Sequence, residues 1–175
     1  MFTGFLFVSR CLGNEGQRNC QAEQQQARRL PIWYSNIKQE HLATRSTAGL
    51  FDVSHMGTFR FSGKEVKSWL EGLATQKVTA VAPTRCAYTH FLDDEGVLID
   101  DMIFAVVSEE EILGVPNASM IGVMWEWFSK HLPTNGSIEL ENLSDATSIM
   151  ALQGPEAKAM LSAVLGEQNH VGRFK

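Results

Sequence analysis

Two strands joined by a single turn are predicted by the segment Tyr88-Thr-His-Phe-Leu-Asp-Asp-Glu-Gly-Val-Leu-Ile-Asp-Asp-Met-Ile-Phe-Ala-Val-Val107. Residues 88–92 and 97–107 are apolar runs, and Asp93-Asp-Glu-Gly96 between them has the residues that tight turns use. Gly96 can adopt the left-handed conformation that such a turn needs. The sequence therefore predicts a β-hairpin here.

Strand and helix patterns continue on the N-terminal side of this hairpin. Residues 37–48 have the pattern of a helix, which Gly49 ends because glycine accepts the left-handed conformation of a C-terminal cap. Apolar and polar side chains then alternate through residues 51–55 and 59–61, which is typical of strands with one buried face. Residues 66–73 return to helical spacing, so a short amphipathic helix should pack on that sheet.

The C-terminal side of the hairpin adds strands and helices. We expect a strand at 112–115, a helix at 120–132, strands at 138–143 and 147–152, and a helix over 155–165 that Gly166 caps. Strands and helices do not alternate one for one, which disfavours a doubly wound nucleotide-binding fold. The order predicts an α+β fold with an antiparallel or mixed sheet and helices packed on it.

Composition and charge argue against several classes of function. The 175 residues are 44% hydrophobic, which is enough to bury a core, and the net charge of -5 provides no basic surface for nucleic acid. Polar residues interrupt the most apolar long window, residues 112–128, so no membrane-spanning helix is expected. The three cysteines match neither a disulfide framework nor a zinc set, which indicates reduced thiols, a cytoplasmic location and no metal site.

Residues 1–29 differ in composition from the rest of the chain. A glutamine- and arginine-rich run at 21–29 has some features of a mitochondrial transit peptide, but Glu15 and Glu23 argue against one. We expect a poorly ordered N-terminal segment over residues 1–29 and a single domain over residues 30–175. The mitochondrial matrix is the alternative to the cytoplasm.

Several ordered motifs point to one family. They are Gly49-Leu-Phe-Asp-Val-Ser-His-Met-Gly57, Tyr88-Thr89, Gly96-Val-Leu-Ile-Asp-Asp-Met-Ile103, Ile37-Lys-Gln-Glu-His-Leu-Ala-Thr-Arg45 and Ala151-Leu-Gln-Gly-Pro155. In this order and spacing they resemble the glycine-cleavage T-protein, a tetrahydrofolate-dependent aminomethyltransferase. The resemblance implies a folate-binding domain of the T-protein type. It also implies transfer of a one-carbon unit from the aminomethyl-dihydrolipoyl arm of H-protein to tetrahydrofolate, with release of ammonia.

Asp100 and Asp101 are the first candidates for catalysis. Adjacent strand residues point to opposite faces, so the two carboxylates cannot act as one site in regular geometry. A lone aspartate in such a strand can also satisfy backbone groups at a bulge. The resemblance implies that Asp100 lies beside the reacting part of folate, where a carboxylate can orient a nitrogen and stabilise positive charge at the transferred carbon. Asp100 is therefore the predicted catalytic residue, and Asp101 is predicted to be structural.

Met56, Tyr88 and Asn117 are the predicted folate-binding residues. Met56 can fill a core gap or lie against a flat ring, and Tyr88 can pair across strands or stack on the pterin. The resemblance implies the folate-facing use for these two residues. Asn117 matches a pocket-facing asparagine of the family, although the cap of a helix explains it equally well.

The chain also departs from the T-protein pattern. Ala105 replaces a tyrosine that is usual in the family, and T-proteins continue into further domains that complete the folate site. We expect a truncated or split aminomethyltransferase whose pocket a separate chain or domain completes. The alternatives are a folate-binding relative, of the dimethylglycine or sarcosine dehydrogenase type or of the iron-sulfur-assembly type, and a non-catalytic interaction module.

Overall fold

A computed structural model gives the fold and describes residues 3–8 and 33–166. All strand pairings among these residues are antiparallel, which confirms the predicted α+β class. In chain order the elements are β1 (Thr3–Val8), α1 (Ile37–Ser46), β2 (Gly49–Asp52), β3 (Phe59–Ser62), α2 (Val66–Glu71), β4 (Cys86–Leu92), β5 (Leu98–Ser108), β6 (Glu111–Pro116), α3 (Ile121–His131), β7 (Glu139–Asn142), β8 (Ser148–Gln153) and α4 (Ala157–Leu165). Single 3₁₀ turns lie at Val78–Ala80 and Ala118–Met120.

The chain forms two compact units. The first consists of Met1–His55 with Ala146–Lys175, and the second is the continuous segment Met56–Asp145. The predicted domain boundary at residue 29 stays a prediction, because residues 9–32 lie outside the described residues. Within the N-terminal segment, Thr3–Val8 forms β1. No helix in the described part of the chain has the length and apolar character needed to cross a membrane.

The first unit is organised around β8. This strand lies in the middle of a three-stranded sheet in the order β1, β8, β2, and it buries Ile149 and Ala151. Helix α4 follows, and Gly166 ends it with a φ of 85° and an N–H that donates to the Ser162 carbonyl at 2.9 Å. The predicted cap at Gly166 is confirmed, because its positive φ, which glycine adopts without strain, directs the chain away from the helix.

Two predictions about the segment before residue 56 are wrong. Helix α1 ends at Ser46 and has Thr47 as its C-cap, whereas Gly49 begins β2. A Cβ atom on Gly49 would collide with the Thr44 hydroxyl, so the glycine is required by space rather than by a cap. The alternating pattern at 51–55 also overran the strand, because β2 ends at Asp52, whose carboxylate accepts from the Ser54 N–H at 2.9 Å and turns the chain.

The second unit contains a five-stranded sheet in the order β4, β5, β6, β3, β7. The predicted hairpin forms its first two strands, and Gly96 in the turn has a φ of 80°. The pairing is regular from Cys86 opposite Ala105 to Phe91 opposite Asp100. It then shifts by one residue, because Leu92 lies opposite Leu98, and this bulge sets which side chains of β5 share a face with those of β4.

Helices α2 and α3 cover one face of this sheet. Phe128 of α3 is fully buried. The centroid of its ring lies 4.8 Å from that of the Phe61 ring and 5.1 Å from that of the Phe91 ring, and both contacts are edge-on. The same core includes Phe104 of β5 and Leu70 of α2. We call this face of the sheet the core face and the opposite one, which includes the 51% exposed Tyr88, the open face.

Candidate functional site

The two aspartates at the start of β5 lie on opposite faces of the sheet, as strand alternation predicts. Asp100, the predicted catalytic residue, lies opposite Phe91 on the core face and is only 6% exposed. Asp101 lies opposite His90 and is half-buried on the open face. Residues directly opposite each other in antiparallel strands project to the same side, so Asp101 and His90 are neighbours across the hairpin.

Asn117 connects the two aspartates at the point where β6 ends. Its Nδ2 donates to Asp100 Oδ1 at 2.8 Å and to Asp101 Oδ1 at 3.2 Å, and it lies 3.3 Å from the Asp101 carbonyl oxygen. Asn117 also precedes the 3₁₀ turn at Ala118–Met120, but its side chain makes no capping hydrogen bond. The structure therefore argues against the capping role, and the role of Asn117 in folate binding stays a prediction.

Tyr88, a predicted folate-binding residue, lies on the open face with Asp101. Its ring is edge-on to the His90 ring, with centroids 5.5 Å apart and an interplanar angle of 85°. The backbone of His90 is held from the outer side of β4, because its N–H donates to Thr75 Oγ1 at 3.2 Å and its carbonyl accepts from the Thr75 N–H at 3.1 Å. The hairpin thus presents a tyrosine, a histidine and a carboxylate on one surface.

Met56, the third predicted folate-binding residue, is half-buried in the bend that opens the second unit. The next residue, Gly57, donates its N–H to the Pro116 carbonyl at 3.2 Å. A Cβ atom at position 57 would lie 2.7 Å from Pro116 Cγ and 2.9 Å from Ile121 Cγ1, so only glycine allows this approach. The contact brings the Met56 segment beside the residue that precedes Asn117.

The buried polar atoms of the site include the two carboxylate oxygens of Asp100, which are hydrogen-bond acceptors. Asp100 Oδ2 is buried and has no hydrogen-bond partner, whereas Oδ1 is satisfied by Asn117. Among the described residues, no group of three histidine, cysteine, aspartate or glutamate side chains could hold a metal ion. Carboxylate oxygens beside an aromatic ring suit a flat ligand that is rich in N–H donors.

The structure brings together some of the predicted site residues and separates others. Asp100, Asn117 and the backbone at Met56 meet at one end of the sheet, but Tyr88 lies on the opposite face from Asp100. Sequence reasoning gave Asp101 a structural role and did not consider His90, and the structure places both on the open face with Tyr88. Strand alternation from Tyr88 identifies His90, but Asp101 could be found only with knowledge of the bulge in the hairpin.

Comparison with known proteins identifies the family. The family model described as the GCVT N-terminal domain matches residues 15–174. The aminomethyltransferase of Bacillus subtilis is 41% identical over 132 residues, which cover 75% of this chain and 36% of that protein. The aminomethyltransferase of Chloroherpeton thalassium is 38% identical over 133 residues, which cover 76% of this chain and 36% of that protein.

A solved structure agrees with these relatives. The crystal structure of glycine cleavage system aminomethyltransferase T from Bartonella henselae aligns with a TM-score of 0.65 and 27% identity, over 71% of this chain and 34% of that chain. The chain thus spans about a third of the length of the proteins that it matches. It belongs to the family of glycine-cleavage T-proteins, the aminomethyltransferases, and corresponds to their N-terminal domain.

Proposed function

We propose that this chain is the folate-binding part of an aminomethyltransferase of the glycine cleavage system. The lipoyl arm of an H-protein would deliver the aminomethyl group, and tetrahydrofolate would accept the carbon as a methylene bridge. The carbon loses its bonds to the lipoyl sulfur and to the ammonia nitrogen and gains two bonds to folate nitrogens. The two protons that these nitrogens lose go to the thiol and to ammonia, so the transfer balances without an oxidant.

The proposal is supported by the names of the matched relatives and by the match to the GCVT N-terminal domain. None of the relatives described above is a dimethylglycine or sarcosine dehydrogenase, and none has a name that suggests a non-catalytic module. The site also fits the substrate chemically, because a reduced pteridine offers several N–H donors and the open face carries the Asp101 carboxylate together with the Tyr88 ring.

One observation carries the assignment of the reacting carboxylate. The register of the hairpin puts His90 opposite Asp101, so Asp101 and the exposed ring of Tyr88 share the open face, whereas Asp100 is buried on the core face. We therefore propose Asp101 as the residue that contacts folate. The sequence-based choice of Asp100 stays a prediction, and the two assignments differ in what they expect of single variants.

Each side chain then has a separate task. Asp101 accepts a hydrogen bond from a folate nitrogen and stabilises the positive charge that develops at the transferred carbon. Tyr88 provides flat apolar area for stacking, and Met56 packs against the same ligand from the bend before β3. Asn117 holds the Asp101 carboxylate through its Nδ2. Such positioning matters because a reacting pair held in alignment needs less entropy loss in the transition state.

Calorimetric titration of the purified chain with tetrahydrofolate tests the proposal. We expect saturable binding that Asp101→Asn weakens by about tenfold or more, because a charge-assisted hydrogen bond is lost. Tyr88→Ala and Met56→Ala should also weaken it. Asp94→Asn is the matched control, since Asp94 lies in the exposed turn of the same hairpin and loses the same charge.

The outcomes separate the alternatives. Loss of binding in Asp100→Asn with full binding in Asp101→Asn would support Asp100 as the residue that contacts folate and would contradict the assignment to Asp101. Absence of heat at millimolar tetrahydrofolate would contradict folate binding by this chain and favour an interaction module. Where binding is found, ammonia release after addition of aminomethyl-loaded H-protein tests the transfer itself.

A further inference from the structure

The buried carboxylate of Asp100 has no task in the function proposed above. It is 6% exposed, its Oδ1 accepts from Asn117 Nδ2 at 2.8 Å, and its Oδ2 has no partner. Burial of a carboxylate is unfavourable, and a neutral or apolar side chain of similar size would often be as stable at such a position. Stability alone therefore does not account for an aspartate here.

Asp100 contributes the shortest of the contacts that orient the Asn117 amide. Three acceptor oxygens surround the Asn117 nitrogen, and they belong to the Asp100 carboxylate, the Asp101 carboxylate and the Asp101 carbonyl. An ionised carboxylate can only accept hydrogen bonds, so an amide turned the other way would bring its own oxygen against three acceptors. The shortest of the three contacts is the one to Asp100, which is also the more buried of the two aspartates.

The orientation of this amide has two consequences for a ligand. Because Nδ2 faces the aspartates, Oδ1 on the other arm of the planar amide faces away from them and can accept a hydrogen bond from an N–H donor. The Asp101 carboxylate is held at the same time, because the same nitrogen donates to its Oδ1 at 3.2 Å. In the described part of the chain, Nδ2 donates all the hydrogen bonds of the Asn117 side chain.

We propose that Asp100 is a positioning residue that fixes the Asn117 amide with its nitrogen toward the two aspartates and its oxygen toward a bound N–H donor of the reduced pteridine. Asp100 acts through Asn117 and does not touch the ligand. The part of the proposal that concerns the ligand rests on the folate-binding function proposed above. The orientation of the amide does not, and it can be measured without folate.

The first experiment measures the Asn117 side-chain amide by NMR in the ¹⁵N-labelled chain. Asp100→Asn keeps the shape of the side chain, and Asp100→Leu removes the acceptor altogether. We expect the Asn117 Nδ2 protons to exchange with water about tenfold faster in Asp100→Leu, with a smaller change in Asp100→Asn, because a hydrogen bond to a charged acceptor is lost. Asp94→Asn is the control and should leave this rate unchanged. Backbone amide exchange in β5 and β6 reports whether the fold is intact.

The second experiment measures tetrahydrofolate binding by calorimetry in Asp100→Asn, Asn117→Ala and the double variant. A residue that acts only through Asn117 adds nothing once Asn117 is gone, so the double variant should bind as Asn117→Ala does. Losses that multiply in the double variant would mean that Asp100 contacts the ligand itself and would overturn the proposal. Unchanged exchange of the Asn117 amide in both Asp100 variants would also overturn it. If the wild-type chain binds no folate, the proposed function fails for this chain, while the exchange rates still decide whether Asp100 orients Asn117.

Discussion

Gly114 illustrates how a single residue without a side chain sets the packing of the five-stranded sheet. It lies on β6 opposite Phe59 and Phe104, in the middle of the core face. A Cβ atom there would lie 2.8 Å from Met102 Sδ and 2.9 Å from Phe61 Cε2. Because protein cores are close-packed, these neighbours can make room only by leaving favourable rotamers.

We therefore expect Gly114→Ala to lower the free energy of unfolding by about 1–3 kcal/mol, as overpacked cores do. Urea denaturation followed by tryptophan fluorescence measures the change. Gly122→Ala is the matched control, because a Cβ atom at that position of α3 meets nothing within 4 Å. The control should be neutral or stabilising, since alanine favours the helical conformation more than glycine does. Equal midpoints for Gly114→Ala and the wild type would contradict the packing argument.

At the residue scale, the sequence named candidate side chains but did not show which of them share a face of the sheet. Asp100, Asn117 and the Met56 segment are close together in the structure, but the face of Tyr88 could not be predicted. Regular pairing continued from Leu92 opposite Leu98 would put His90 opposite Asp100. The bulge shifts the register by one residue and puts His90 opposite Asp101 instead. A slip of one residue reverses every face, and nothing in local composition reveals it.

At the scale of elements, the predicted order of strands and helices in the second unit is confirmed. The hairpin, the strand at 111–116 and helix α3 were predictable because their hydrophobic periods are long and end in turn residues. The short elements were harder to bound. Helix α1 buries no residue and begins at the cap of Asn36, whose Oδ1 accepts from the N–H groups of Lys38 and Gln39, so its length depends on local hydrogen bonds rather than on a core-facing stripe.

The end of α2 is tied to the following 3₁₀ turn by one carboxylate. Glu71 accepts a hydrogen bond from the Thr79 hydroxyl at 2.5 Å and from the Thr79 N–H at 2.7 Å. These bonds lower the pKa of Glu71 below its ordinary value of 4.5, and the hydroxyl has the larger effect. A lowered pKa in the folded state means that the ionised form stabilises the fold above about pH 4.5, and that this stabilisation is lost as the pH falls through the folded-state pKa.

We expect Glu71→Gln to unfold at lower urea than the wild type at pH 7 and to lose that difference progressively as the pH falls below 4.5 through the lowered folded-state pKa. The measurement is the urea midpoint at a series of pH values between 7 and 3. Glu110→Gln is the control, because Glu110 is exposed and its carboxylate makes no hydrogen bond within the described residues. A difference between Glu71→Gln and the wild type that persists unchanged to pH 3 would show that ionisation of Glu71 is not its source.

At the scale of the whole molecule, the two units differ in how the chain builds them. The first unit needs segments from both ends of the sequence, because β8 pairs with β1 and β2. The second unit is continuous, and all five strands of its sheet lie between Phe59 and Asn142. Every residue of the buried aromatic and aliphatic core cluster of this unit falls within the same limits. The residues discussed for folate binding also belong to it.

The segment Met56–Asp145 should therefore fold by itself, because its strands find their partners and its core is closed without contributions from other residues. We expect the excised segment to unfold in urea in a single cooperative transition with tryptophan fluorescence and circular dichroism in agreement. A shorter segment, residues 56–136, is the matched control, since it lacks buried Ile138 and strand β7 and leaves one edge of β3 unpaired. It should lose the cooperative transition. If both segments unfold without a cooperative transition, the second unit depends on the rest of the chain for its fold, and the autonomy inferred from its continuous core is wrong.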